Sequence, residues 1–108
     1  MAKLVRDSIP LFIQASGKKC KFRLLDRPEH KHYLKLKLEE ECKELMAELD
    51  SSNIKNIKEE MADVLEVIEA LCWIWDIDDK EVKRLQTLKG FDKGTFRNGI
   101  LLEEVYDD

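Results

Sequence analysis

The sequence predicts an all-α protein built on an antiparallel helical hairpin with short flanking helices. Three observations predict it. Two long stretches, roughly Pro28 to Leu49 and Ile54 to Trp75, repeat apolar residues at steps of three and four, the signature of a buried helical face. A single short break, Asp50-Ser51-Ser52-Asn53, separates them, so the two helices must lie side by side and antiparallel. Helix-start residues stand before each stretch.

The elements follow in order. Ile9, Leu11, Phe12 and Ile13 form an apolar patch beside Pro10, which suits the first turn of a short helix, closed by the loop signal Ser16-Gly17-Lys18-Lys19. Phe22 to Leu25 reads as an extended connector. Asp26-Arg27-Pro28-Glu29 then combines an acidic cap, an early proline and a glutamate three residues on, and opens the first long helix. Its buried stripe is Leu34, Leu38, Cys42, Leu45 and Leu49. The second long helix carries a broad stripe of Ile57, Met61, Val64, Leu65, Ile68, Leu71, Cys72 and Trp75. Asp76 to Asp79 ends it and caps a further helix, Lys80 to about Lys89, whose buried side is Val82, Leu85 and Leu88. Gly90 to Gly99 is turn-rich, and Ile100-Leu101-Leu102 is a short strand or an extended arm.

A chain of 108 residues is expected to be one domain, spanning residues 1–108. Charged residues reach 39%, above the usual level of about 25%, so the core is modest and helical faces stay uncovered. Self-association, as a homodimer or homotetramer, is expected. The net charge of −4 and the scattered basic residues argue against a nucleic acid partner. No apolar run approaches a membrane span, and MAKLVRDSIP lacks the apolar stretch of a signal peptide, so a cytoplasmic location is expected. Cys20, Cys42 and Cys72 have no paired spacing and read as reduced, structural thiols.

The chemistry lies in the carboxylates. Glu41, Glu44 and Glu48 recur along one edge of the first long helix, with Glu40 at i,i+4 from Glu44, and Glu41 falls almost within the buried arc. Glu60 and Asp63 are an i,i+3 pair on the second helix, on an arc otherwise formed by Val67, Ala70 and Ile74. Unpaired carboxylates near an apolar interface are costly, and buried charges are normally paired or metal-bound. Lys37 can bridge to Glu41, but the lysines of the two helices do not otherwise cover the acids. The hairpin brings both acidic edges together. Oxygen-only ligands suit magnesium or manganese, and the absence of histidine from both motifs argues against the di-iron pattern of ferritin-like bundles. On spacing alone, a solvated acidic face and a cation site stand close to one another.

The motifs Glu40-Glu41-x-x-Glu44 and Glu60-x-x-Asp63 resemble the signature of all-α nucleoside triphosphate pyrophosphohydrolases, the MazG-like and phosphoribosyl-ATP pyrophosphohydrolase-like proteins. Lys3-Leu4-Val5-Arg6-Asp7-x-Ile9-Pro10 and Lys93-Gly94-Thr95-Phe96, with Gly99 to Leu102, resemble the small single-domain branch. Ser8 and Thr95 depart from it, standing where a basic residue and a second glycine are more usual. The resemblance implies a dimeric or higher helix bundle and a magnesium-dependent cut between the α and β phosphates of a nucleoside triphosphate. It implies Glu41, Glu44, Glu60 and Asp63 as metal ligands, with Glu40 a further ligand through water or the residue that orients the attacking water. Lys93, Lys89, Arg6 and Lys3 are candidates for the phosphate tail, Lys93 foremost because of the adjoining glycine. A phosphoribosyl-nucleotide substrate, or a non-catalytic dimerisation module with a structural cation, are the rival readings. Of the tryptophans, Trp75 is in phase with the core stripe, whereas Trp73 faces the other way, towards a subunit contact.

Overall fold

In a computed structural model, which describes residues 2–108, the chain forms four helices and, among those residues, no strand. They are α1 (Ile9–Ala15), α2 (Arg27–Ser51), α3 (Ile54–Ile74) and α4 (Asp79–Lys93). Two compact units result, Met1–Ile77 and Asp78–Asp108.

The first unit is the predicted hairpin, α2 against α3. Each start is capped as its residues demand: the Asp26 carboxylate accepts from the Glu29 amide at 2.9 Å, and the Asn53 side chain accepts from the Asn56 amide at 3.1 Å. Ser52 turns the chain between them in the left-handed region, at φ 59°. At the far end of the hairpin, Asp76 adopts the same region at φ 55°, a conformation aspartate tolerates better than most residues. There Arg27 donates to the Ile74 carbonyl, an otherwise unpaired group at the C-terminus of α3, and to the Asp76 carboxylate at 3.1 Å.

The core is small. Leu34, Val67 and Ile74 are buried together, with Leu4, Leu38, Ala70 and Leu71 packed around them. This corrects the expected stripe of the second long helix. That helix is apolar on two arcs, and the hairpin can cover only one of them. Leu34 and Leu38 of α2, helped by Leu4 from the N-terminal segment, cover the arc of Val67, Ala70 and Ile74. Met61, Leu65, Ile68 and Trp75 consequently stay exposed, as does Leu49 on α2. Trp75 is therefore not a core residue; the Lys31 ammonium lies 3.8 Å from its ring centroid.

In the second unit, α4 runs one turn further than expected, through Gly90 to Lys93. A single glycine in a helix costs only about 1 kcal/mol relative to alanine, and the stop falls instead at Gly94, whose φ of +85° suits a residue without Cβ. Lys89 and Lys93 thus occupy the end of a helix rather than flanking a glycine turn. Val82, Leu85 and Leu88 are exposed, because nothing in their own unit covers them. Ile100 to Leu102 form no strand.

Candidate metal centre

The two acidic motifs meet where α2 and α3 pack. Glu40, Glu41 and Glu44 each offer an oxygen within 4.8 Å of one another, and so do Glu41, Glu60 and Asp63. Glu41 is common to both groups. An octahedral magnesium ion holds its ligand oxygens about 3 to 4 Å apart, so either group is close enough to share one ion.

Helical phase explains the convergence. Glu41 follows Leu34 and Leu38 along α2, and is itself 6% exposed. Glu60 and Asp63 precede Val67 and Ala70 on the covered arc of α3. A residue on such an arc must face the partner helix whether it is apolar or charged.

Basic groups answer part of this charge. Lys37 reaches Glu41 at 3.1 Å and Glu40 at 3.4 Å. Two further cations come from the N-terminal segment: Arg6 donates to Asp63 at 2.7 Å and lies 3.6 Å from Glu66, while Lys3 stands 3.9 Å from Glu40. The structure therefore places Arg6 and Lys3 on the carboxylates, and the acids are better covered than the lysines of the two helices alone would allow. Lys89 and Lys93 make no ion pair among the described residues.

The compensation is incomplete. One oxygen of Glu41 and one of Glu60 are buried without any hydrogen-bond partner. Burial, reinforced by the charges of Glu41, Glu60 and Glu40, pushes the Glu44 carboxyl above the ordinary glutamate value. Burial, then Asp63, Glu41 and Glu48, does the same to Glu60, partly opposed by a hydrogen bond with Glu44. Lys37 is pulled down by burial, but Glu41 and Glu40 outweigh that and leave it raised. Two orphaned carboxylate oxygens beside two glutamates that resist ionisation are what a hard cation would relieve. The donor set, all oxygen and all acidic, fits such an ion.

An open groove of about 770 Å³ adjoins the acids within the first unit. The N-terminal residues Leu4 to Ile9 and Phe12 of α1 form one wall, and the hairpin forms the other. Asp63, Glu41 and Lys37 stand in the groove, as does Ser8, the position where a basic residue was expected. His30 and Trp73 also line it. Trp73, expected at a subunit contact, also lines this cleft of its own chain; helical phase identified its outward direction, but not the N-terminal segment opposite. The pairing of Arg6 with Asp63 was equally hidden, since 57 residues separate them.

Searches of curated proteins and of solved structures returned no match. A family model did: residues 29–89, which contain both acidic motifs, match the MazG nucleotide pyrophosphohydrolase domain. That segment is the hairpin and most of α4. With a helical hairpin that brings the two motifs together and a family match over more than half of its length, the chain belongs to the MazG nucleotide pyrophosphohydrolase family.

Proposed function

We propose that this chain, acting as one domain over residues 1–108, hydrolyses a nucleoside triphosphate between the α and β phosphates to nucleoside monophosphate and pyrophosphate. The observation that carries this reading is Glu41, buried, shared by both carboxylate groups and holding an oxygen without a partner. Glu41, Glu44, Glu60 and Asp63 are the ligands of a magnesium ion, with manganese a substitute. The charge balance supports it, because three basic groups (Lys3, Arg6 and Lys37) face five carboxylates at the centre. A polyanionic substrate would be repelled from such a surface unless a cation intervened.

Bound magnesium supplies neutralisation of the phosphates and polarisation of the bond to be cut. Glu40, held by Lys37 at the edge of the cluster, orients the attacking water. The water oxygen bonds to the α-phosphorus as its proton passes to a carboxylate of the cluster, the bond from that phosphorus to the bridging oxygen breaks, and pyrophosphate leaves. Arg6, paired with Asp63, and Lys3, beside Glu40, are the cations that the N-terminal segment brings to the centre and would turn to the phosphate tail once an ion neutralised the acids. The uncovered apolar arc of α3 supports a homodimer or homotetramer, and a cytoplasmic location agrees with free thiols at Cys20, Cys42 and Cys72. No helix among the described residues is long and apolar enough to cross a membrane.

The test is incubation with a panel of nucleoside triphosphates and magnesium, separating pyrophosphate from orthophosphate. Pyrophosphate in equal amount to monophosphate is expected. Orthophosphate as the product, or no product from any nucleotide, would overturn the reading.

A further inference from the structure

The groove does not end at the acids. Its lining on α3 passes from Asp63 through Glu66, Val67 and Ala70 to Trp73, one face of the helix followed for ten residues, about 15 Å of axial rise. At the far end stands an indole that its own chain leaves largely bare. Trp73 is 64% exposed, although its neighbours Cys72 and Ile74 are buried. Its contact with His30 is a tilted one, with ring centroids 5.6 Å apart at 55°, which leaves the indole open to a flat partner. The floor between the two ends is apolar, formed by Leu34, Val67 and Ala70.

We propose that the aromatic end of this groove, His30 and Trp73, is a nucleobase subsite, with Glu69 on its wall favouring bases that carry an exocyclic amino group. The proposal rests on the pyrophosphohydrolase reading for the occupant of the other end. A groove with carboxylates and cations at one end, an apolar floor and a bare aromatic face at the other matches the polarity of a nucleotide along its length. Bases stack on aromatic side chains regardless of sequence because each presents a π-face. Glu69 supplies the discrimination. It lines the groove, accepts hydrogen bonds only, and makes no ion pair among the described residues, whereas Glu66 on the same wall is engaged by Arg6. Adenine and cytosine offer an amino donor where thymine offers an acceptor, and uracil shares thymine's carbonyl.

Binding can be read without hydrolysis. In the full chain carrying Trp75→Phe, Trp73 is the sole tryptophan. Its fluorescence should be quenched saturably by AMP and CMP, more weakly by UMP, and not by ribose 5-phosphate or pyrophosphate. Equal quenching by ribose 5-phosphate, no quenching by any nucleotide, or an emission shift driven by protein concentration alone would overturn the subsite. The last result would mean that a second copy covers the indole. In turnover, Trp73→Ala should raise KM about tenfold or more with kcat little changed, the mark of lost uniform binding. Trp73→Phe should restore most of the loss, and Glu69→Gln should narrow the KM gap between CTP and UTP. If hydrolysis proceeds and Trp73→Ala leaves KM unmoved, the subsite falls while the reaction stands. If AMP quenches but no triphosphate is cut, the reaction falls and the nucleotide site stands.

Discussion

Glu60 and Glu44 bring out the tension in the centre at the scale of single residues. Both carboxyls are raised, by burial first and then by neighbouring acids, so the folded protein holds these protons more tightly than the unfolded chain. Stability of the metal-free protein should therefore fall as pH climbs from the ordinary 4.5 through the raised values, and urea midpoints in chelator will show it. Glu29 has the opposite sign: Arg23 holds its carboxyl below the ordinary value, a contribution present above that value and lost as pH falls below it. The two effects occupy different pH windows and can be separated. Added magnesium should remove the fall above 4.5. Glu60→Gln takes away a disfavoured charge, so it should raise the metal-free urea midpoint at pH 7. The same variant should lose turnover by about 100-fold or more, the scale of removing one preorganised electrostatic group. A variant that is destabilised yet fully active would contradict the assignment.

At the scale of elements, helices α2 and α3 were legible because caps, breaks and period agree: Asp26, the Asp50–Asn53 break and the steps of three and four mark boundaries that the structure meets to within two residues. Which arc of α3 is covered was not legible, because the helix offers two apolar arcs and the choice depends on Leu4, far away in sequence. The end of α4 was misplaced because Gly90 resembles a stop, and only the positive φ of Gly94 distinguishes the glycine that ends the helix from the one within it. The acidic motifs and the Lys37–Glu41 bridge could be read from sequence, but the pairing of Arg6 and Lys3 with the acids and the groove could not, since these need the N-terminal segment folded back on the hairpin. The covered arc can be tested directly. Ile74 is 1% exposed, and Ile74→Ala should cost about 2–5 kcal/mol by chemical denaturation. Leu65→Ala, on the other arc and 65% exposed, should cost the isolated chain far less.

On the scale of the whole molecule, a core of so few buried residues is thin for 108 residues. Met61, Leu65 and Ile68, exposed along one side of α3, are the surface that self-association would cover. Light scattering should report a dimer or larger species for the native chain and a smaller one for Leu65→Glu combined with Ile68→Glu. A native chain that is monomeric at high concentration would refute it. Within each hairpin the restraints are unevenly distributed. Arg27 joins the start of α2 to the last carbonyl of α3 and to Asp76, and Lys31 lies over Trp75 close by. The carboxylates lie nearer the middle of the hairpin, about 15–20 Å along the helices from that joint. That joint fixes one end of the hairpin with side-chain contacts, whereas the acidic centre further along it still holds two carboxylate oxygens without a partner. The two ends of the groove are thus held differently: the aromatic end lies beside fixed side-chain contacts, and the acidic end rests on charges that a bound ion would rearrange.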